Sequence, residues 1–336
     1  LENSPILWDI ETDPVLASAK IIAEPWDAAG LYQVGSFAGH RWSEWNGRFR
    51  DDVRRFIKSD DGMTQFLAAR ITGSGDLFSR PGSLPNRSIN FVTCHDGFTL
   101  HDLVSYNEKH NLENGEGNKD GADANFSWNC GAEGYTEDPE ILQLRKRQMK
   151  NLLTLLMISE GTPMLLMGDE VMRSQKGNNN AWCQDSETSW FDWNAVKSNK
   201  DMLRFVQKLI ASYNQLEVFQ LEEFWMTPAT VVYPHLTWHG AKLYQPDWGP
   251  KSRSLAFTLN YLASGDHLHA MINAHWEGIN FEVPLPGERE CWHRVLDTYQ
   301  ESPNDFIDLD KAPAVSTKHF FVEPRSIVIL KARRQG

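Results

Sequence analysis

Residues 1–220 alternate between short apolar runs and segments with helical periodicity, a pattern typical of an α/β region with a parallel sheet. Three apolar runs read as buried strands that end in polar residues: 21–23, 88–97 and 161–170. A short aromatic strand is also predicted at 42–45. Helices are predicted where apolar residues recur every three or four positions: 48–57, 63–71, 139–158 and 202–213.

After about residue 220 the pattern changes and helical periodicity disappears. Short segments of alternating apolar and polar residues are separated by Gly, Pro and Asp turns: 254–260, 269–273, 293–296 and 326–330. An antiparallel sheet with one solvated face produces such alternation. We therefore predict that residues 221–336 form a separate antiparallel β-sandwich.

Carboxylates follow each of the three apolar runs. Glu24 comes directly after the first run, His95 and Asp96 close the second, and Asp169 and Glu170 close the third. Because the carboxyl ends of parallel strands share one edge of a sheet, we expect these side chains to converge. Converging carboxylates suit acid/base chemistry on a neutral, hydroxyl-rich substrate, as in glycoside hydrolysis. Glu24 could instead cap the next helix or pair with a neighbouring Arg.

Two long polar loops, 107–138 and 174–192, follow the second and third runs. A loop as long as the first, inside a compact domain, usually carries function. Its Asn and acidic residues are oxygen donors that calcium could use, but no twelve-residue EF-hand pattern is present. We predict neither a cofactor nor a metal.

Composition removes several classes of function. The 336 residues carry a net charge of −12 without a basic stripe, so we expect no nucleic-acid partner. The apolar runs are too short to span a membrane, so no membrane partner is expected. The four Cys form no Cys-x-x-Cys pair, which argues against a zinc site or a disulfide framework. The 13 Trp lie in a chain with many Asn and Asp residues and suit sugar rings, which stack on indole.

Several motifs, in the right order, resemble the second half of an isoamylase-type glycogen or starch debranching enzyme of the α-amylase superfamily. Ala-Glu-Pro-Trp-Asp at 23–27 resembles the fifth-strand motif of that family, and Phe-Val-Thr-Cys-His-Asp-Gly at 91–97 resembles its seventh-strand motif. Its barrel loops are matched at further positions: 106–111, 114–116, 168–170 and 177–180. The resemblance covers essentially the whole chain. It implies strands 5 to 8 of a (β/α)8 TIM barrel over 1–220, followed by the C-terminal β-sandwich.

The resemblance also implies a role for each site residue. Glu24 would be the general acid/base, which protonates the glycosidic oxygen and then activates water. Asp96 would hold hydroxyls of the distorted −1 sugar, and His95 would bond the same ring. Trp26 would stack near the scissile linkage, and Trp45 is an alternative for that task.

Asp169, Glu170 and Arg173 resemble residues that order a barrel loop or line a subsite, and an ion-pair network is the alternative. The substrate implied is an α-glucan polysaccharide or oligosaccharide. Its α-1,6 branch linkages, as in glycogen, amylopectin or limit dextrins, would be hydrolysed by a retaining mechanism. An α-1,4-active amylase or branching enzyme and a non-catalytic glucan-binding subunit remain alternatives. The compartment implied is a bacterial cytoplasm or a plastid stroma.

One feature of the family is absent. Its nucleophile is an aspartate at the end of the fourth barrel strand, in a motif of the type Gly-Phe-Arg-Phe-Asp, and this sequence has no such motif. Asp9 and Asp13 lie in helical surroundings and are poor substitutes. A retaining mechanism needs a second carboxylate about 5 Å from the acid/base. We therefore expect a truncated chain that is inactive alone and needs the missing N-terminal half of the barrel as its partner. Open strand edges would also favour self-association.

Overall fold

The computed structural model describes residues 4–334 except 28, 38, 40, 79, 81 and 226–233. The first part of the chain forms a parallel sheet of four short strands: β1 (Ile21–Ala23), β2 (Trp42–Trp45), β3 (Ser88–Asn90) and β4 (Thr162–Pro163). Helices precede, connect and follow these strands: α1 (Pro5–Thr12), α2 (Gly47–Lys58), α3 (Thr64–Ile71), α4 (Leu100–Leu103), α5 (Pro139–Met157), α6 (Ala195–Ser198) and α7 (Lys200–Gln215).

The four strands lie side by side in chain order, and every pairing is parallel. Ala23 pairs with Glu44, Glu44 pairs with Ser88, and Ile89 pairs with Thr162. Parallel neighbours need crossover connections, and the chain supplies them as α2 and α3 before β3 and as α4 and α5 before β4. The carboxyl ends of the strands therefore lie along one edge of the sheet.

Local sequence explains where the principal helices begin. Asn46 caps α2, since its side-chain oxygen accepts a hydrogen bond from the backbone N–H of Phe49 at 2.9 Å. Asp138 caps α5 by accepting from the N–H of Glu140 at 2.9 Å, and Pro139 occupies the first helical position, where no N–H is needed. Both helices bury their apolar face against the sheets.

The C-terminal part forms antiparallel strands: β5 (His235–His239), β6 (Ser254–Tyr261), β7 (Asp266–Asn273), β8 (Ile279–Glu282), β9 (Glu290–Asp297), β10 (Ala314–Val315), β11 (His319–Val322) and β12 (Ser326–Arg334). Six of them form one sheet in the order β10-β9-β12-β7-β6-β5. The other two, β8 and β11, pair as a separate ribbon.

Both faces of the six-stranded sheet are buried. One face shares the main core with the helices, where Leu156 and Phe205 belong to the same cluster as Phe257 and Ile329. The opposite face packs with the β8–β11 ribbon around a smaller cluster that contains Phe281, Trp292 and Val328. Continuous burial of this kind contributes about 25 cal/mol per Å² of apolar surface and joins the two parts of the chain.

The predicted combination of α/β and antiparallel β structure is confirmed by these elements. The finer arrangement, a half-barrel over 1–220 and a β-sandwich over 221–336, stays a prediction. Two strand predictions were too long. The run predicted at 88–97 pairs only over 88–90, and the one predicted at 161–170 pairs only over 162–163. Beyond Met164, whose N–H still donates to Asn90, the chain turns away from the ladder.

The basic triplet 145–147 of α5 does not lie wholly on a solvated helix face. Arg145 is only 2% exposed. Its guanidinium donates to the backbone oxygens of Asn129, at 3.2 Å, and Gly134, at 2.7 Å, and so holds the end of the 107–138 loop against α5. A single guanidinium can satisfy several loop carbonyls because it offers five donors in a fixed plane.

Within the part of the chain that the structure describes, no helix has the length and apolar content to cross a membrane.

A row of buried histidines crosses the six-stranded sheet. His239 Nε2 and His269 Nδ1 each lie 3.0 Å from the Thr258 hydroxyl. Burial lowers the pKa of His239 to about 4. Burial, with His239 and His267 nearby, lowers the pKa of His269 to about 3. Both groups are thus neutral in the folded chain under conditions where the unfolded chain is protonated.

We predict that these histidines make the fold sensitive to acid. Because their folded pKa values lie below the unfolded value, stability is complete above about pH 6.5 and falls by about 1.4 kcal/mol per pH unit for each imidazole as the pH drops toward the folded values. His269→Gln should reduce the slope of unfolding free energy between pH 6.5 and 5, measured by urea denaturation. The exposed His319→Gln is the matched control, and equal slopes for the two variants would contradict the prediction.

Candidate active site

The parallel register brings Glu24 beside Trp45. Ala23, the last residue of β1, pairs with Glu44, so Glu24 follows alongside Trp45, the last residue of β2, which itself pairs with Ile89 of β3. Glu24 is exposed to solvent, whereas Trp45 is half-buried. The exposed Glu24 carboxylate can therefore contact a bound molecule, while the backbone of the preceding residue, Ala23, is held in the sheet.

Trp26 lies in a tight loop that folds back over the start of α2. Its ring stacks on Tyr32 with a centroid separation of 5.9 Å and an interplanar angle of 15°. The N–H of Gln33 donates to the oxygen of Pro25 at 2.7 Å and closes the loop. A Cβ added at Gly47 would lie 3.0 Å from the Tyr32 hydroxyl and 3.6 Å from the Trp26 ring, so the absence of a side chain at Gly47 permits this approach.

The segment after β3 reaches the same place. The rings of Trp45 and His95 have a centroid separation of 5.4 Å, and Trp45 also lies 5.5 Å from Phe91. His95 and Asp96 are both exposed. Strand register therefore places Glu24 beside Trp45, and the Trp45 ring contacts His95, which directly precedes Asp96.

Two arginines of α2, Arg50 and Arg54, lie close to this group, and the sequence pattern did not indicate this. Arg54 is buried and donates to the oxygen of Val92 at 2.8 Å and to that of Asn125 at 3.0 Å. Burial, followed by Arg50, lowers the pKa of Arg54 to about 10, while Cys94 and Asp96 act in the opposite direction. Arg54 therefore supports the main chain that leads to Asp96 and adds positive charge behind it.

Cys94, His95 and Asp96 each offer a ligand atom, and these atoms lie within 4.8 Å of one another. The surroundings do not favour a metal. Burial and then Asp96 raise the pKa of the Cys94 thiol to about 12, and the thiolate is the form that binds metals. The thiol donates to the Asp96 carboxylate instead. Arg54 also supplies positive charge where a cation would have to bind.

Asp169, Glu170 and Arg173 are engaged within the protein. The Asp169 carboxylate is buried and accepts from the Thr93 hydroxyl and, at 2.9 Å, from the N–H of Leu100. Burial raises its pKa to about 7. Glu170 accepts from the N–H of Gly168 at 2.8 Å.

Arg173 donates to the backbone oxygen of Ser189 at 3.3 Å and to the side chain of Gln175 at 2.9 Å. These contacts order the segment after β4 and the 174–192 loop. Asp102, on α4, adds to the same effect by accepting from the hydroxyl of Ser174 at 2.6 Å.

A network of side-chain amides joins the two long loops. Asn179 is buried, donates to Asn125 at 2.8 Å and accepts from Asn111 at 2.8 Å. Its backbone oxygen accepts from the N–H of Gly97 at 2.9 Å, directly after Asp96. Further amide contacts connect residues of the same loops: Asn114 with Asn178, Gln184 with Asn114, and Asn180 with Asp120. The Asn-rich composition of the loops was visible in the sequence, but this pairing was not.

Sequence comparison agrees with the resemblance carried by the motifs. The family model for the isoamylase 1-3 C-terminal domain matches residues 237–325. Isoamylase 3 of rice (Oryza sativa subsp. japonica), a chloroplastic protein, is 44% identical over 99% of this chain and 41% of its own length. By sequence, the chain is similar to isoamylase-type proteins along almost its whole length. A GlgX homologue of a glycogen operon in Mycobacterium tuberculosis is 42% identical over 96% of this chain and 46% of its own length.

Solved structures with a similar fold include pullulanases. The type I pullulanase of Bacillus subtilis, solved with maltose, has a TM-score of 0.67 over 97% of this chain, with 16% identity. A Paenibacillus barengoltzii pullulanase, solved with maltohexaose and alpha-cyclodextrin, has a TM-score of 0.63 over 98% of the chain, with 21% identity. The chain spans 41% and 45% of these two proteins, and less than half of the two relatives above.

We predict that the amide network stabilises the edge of the candidate site. Asn179→Ala leaves buried partners without hydrogen bonds, so the free energy of unfolding should fall by about 1–3 kcal/mol and the 107–138 loop should become more sensitive to protease. Urea denaturation and limited proteolysis measure the two effects. Asn194→Ala, at an exposed position, is the control and should change neither. Wild-type stability in Asn179→Ala would contradict the prediction.

Proposed function

We propose that the protein containing this chain hydrolyses α-1,6 branch linkages of glycogen, amylopectin or limit dextrins. The observation that carries the proposal is the position of Glu24 next to Trp45, which contacts His95 beside Asp96. A carboxylate, an imidazole and a second carboxylate at one sheet edge suit a glycosidic bond, because its cleavage needs a proton donor and groups that hold the ring hydroxyls. The relatives named isoamylase and the maltooligosaccharide complexes of the pullulanases support this choice of substrate.

The proposed roles follow the chemistry of each group. Glu24 donates its proton to the glycosidic oxygen and then, as carboxylate, activates water. Asp96 accepts hydrogen bonds from hydroxyls of the −1 sugar and His95 bonds the same ring. Trp26 offers an indole face that Tyr32 holds in place, whereas Trp45 is partly covered by its contacts with His95 and Phe91. Trp26 is therefore the better stacking candidate of the two.

We assign Asp169, Glu170 and Arg173 to the ordering of the loops that border the substrate. Asp169 accepts from the N–H of Leu100 on α4, Glu170 accepts from the N–H of Gly168 in its own turn, and Arg173 donates to Gln175 of the 174–192 loop. That loop presents two exposed indoles to solvent, Trp182 and Trp190, at 83% and 58% exposure, and Trp193, directly after the loop, is 77% exposed. The Trp190 ring nitrogen donates to Asp185 at 2.9 Å, which fixes the ring while leaving it accessible. We propose that these rings bind more distant glucose units of the α-glucan.

The proposed architecture is the second half of a (β/α)8 barrel, strands 5 to 8, up to about residue 220, followed by a β-sandwich. In a retaining mechanism a second carboxylate forms the glycosyl-enzyme. The family motif that carries that carboxylate does not occur in this sequence, so the remaining barrel strands would have to supply it. The relatives are chloroplastic or bacterial, and we propose a plastid stroma or a bacterial cytoplasm as the compartment.

Replacing the proposed acid/base tests the mechanism. In the full-length protein that carries this sequence, Glu24→Gln should lower the rate of α-1,6 hydrolysis of pullulan by about 10²–10⁴-fold while leaving maltooligosaccharide affinity within a few-fold, because the amide cannot give up a proton. Release of reducing ends and calorimetric binding measure the two effects. Glu288→Gln, at an exposed position of the C-terminal part, is the control. Normal turnover in Glu24→Gln, or cleavage of amylose in preference to pullulan, would contradict the proposal.

The 336-residue chain by itself should bind maltooligosaccharide without hydrolysing pullulan, since no nucleophile motif is encoded in it. Calorimetry and a reducing-end assay on the same preparation measure both properties. Debranching by this chain at the rate of the full-length protein would refute the requirement for a carboxylate from another part of the barrel. Binding without turnover even in the full-length protein would instead favour a non-catalytic glucan-binding role.

A further inference from the structure

A cleft of about 680 Å³ lies where three parts of the chain meet, outside the candidate active site. The first turns of α5 form one wall and the start of α7 forms the second. The third wall is the turn 298–302, which belongs to the C-terminal part. The volume falls within the range of about 300–1,000 Å³ that is usual for small-molecule sites.

The lining of this cleft is basic although the chain as a whole carries a net charge of −12. Four cationic side chains line it: Lys146, Arg147, Lys150 and Lys200. Asp201 and Glu301 are the acidic residues among the described lining. A concentration of positive charge inside a concave surface attracts anions and focuses their field.

The ion pairs within the protein leave part of this charge free. Lys146 pairs with Asp201 at 2.7 Å, and Lys150 pairs with the buried Asp305 at 2.6 Å. Burial lowers the pKa of Lys150, and Lys146 lowers it further by repulsion between the two ammonium groups. Among the described residues, no ion pair is formed by Arg147 or Lys200.

Arg147 is held in an orientation that suits an oxyanion. Its guanidinium lies 4.1 Å from the centre of the Tyr299 ring, and Nη1 donates to the oxygen of Pro324 at 3.1 Å. Its Nε is buried and has no hydrogen-bond partner in the described part of the structure. A planar guanidinium stacked on an aromatic ring keeps its remaining donors in one plane, the geometry that phosphate oxygens match.

We propose that this cleft binds a phosphorylated sugar, with the phosphate at Arg147 and Lys200 and the hydroxyls at neutral polar side chains of the same lining. Gln143 and Ser302 belong to that lining and offer neutral donors and acceptors. A phosphate dianion matches two cations that form no ion pair among the described residues, whereas a neutral glucan would supply no charge to pair with them. The inference stands apart from the proposed hydrolysis, because no residue of the cleft belongs to the candidate active site.

Calorimetry on the 336-residue chain tests the proposal with glucose 6-phosphate, inorganic phosphate and glucose as probes at low ionic strength. Glucose 6-phosphate should bind at least about fivefold more tightly than inorganic phosphate, glucose should not bind, and added salt should weaken the interaction. A maltotriose esterified with phosphate at one C6 hydroxyl separates the two sources of such a group. Tighter binding of this ester than of glucose 6-phosphate indicates a phosphate carried on glucan, and weaker binding indicates a free sugar phosphate.

Charge-removing variants locate the site. Lys200→Gln should weaken glucose 6-phosphate binding by about three- to tenfold and Arg147→Gln by tenfold or more, since the second also loses the planar donors. Lys208→Gln is the matched control on the same helix, because Lys208 pairs with Asp308 and does not line the cleft. Absence of glucose 6-phosphate binding at millimolar concentration would overturn the proposal. So would equal affinity for inorganic phosphate, or unchanged affinity in both variants whose circular dichroism matches the wild type.

Discussion

The parallel pairing of β1, β2 and β3 is the constraint on which the candidate site depends. Backbone hydrogen bonds fix Ala23 opposite Glu44 and Glu44 opposite Ser88, so the residues that follow these strands emerge together. A slip of one residue would turn the side chains of a whole strand to its other face. The position of Glu24 relative to the β2 and β3 exits is therefore set by main-chain geometry. The contact between the Trp45 and His95 rings then brings the segment after β3 against the end of β2.

A second constraint joins this sheet to the C-terminal part. The face of the six-stranded sheet that belongs to the main core packs on α5 and α7, and buried charges reinforce the contact. Asp305 is fully buried and receives both Lys150 and Arg204, one from each helix. Removing one partner of such a group leaves a buried charge uncompensated, which typically costs about 3–5 kcal/mol. The basic cleft lies at this same junction, so its walls cannot separate without breaking the core.

Neutral amides join the two loops around the site, in addition to charged groups such as Arg145 and Arg173 that hold parts of these loops. An Asn side chain offers two donors and an acceptor, so Asn111, Asn125 and Asn179 can satisfy one another inside the protein without a net charge. Burying carboxylates and ammonium groups there would cost more desolvation.

Sequence alone determined the element types and the change from α/β to antiparallel structure near residue 220. It also placed Glu24, His95 and Asp96 after strands. These features could be predicted because periodicity and turn residues act locally. It did not determine how far each strand pairs, since pairing ends where the partner turns away, as at β4. Nor did it show that Arg54 and Arg145 are buried, because periodicity places a residue on a face without saying what that face contacts. Only the tertiary structure decided those contacts: a guanidinium is buried where carbonyls from distant segments meet it, and chain folding alone brings those segments together.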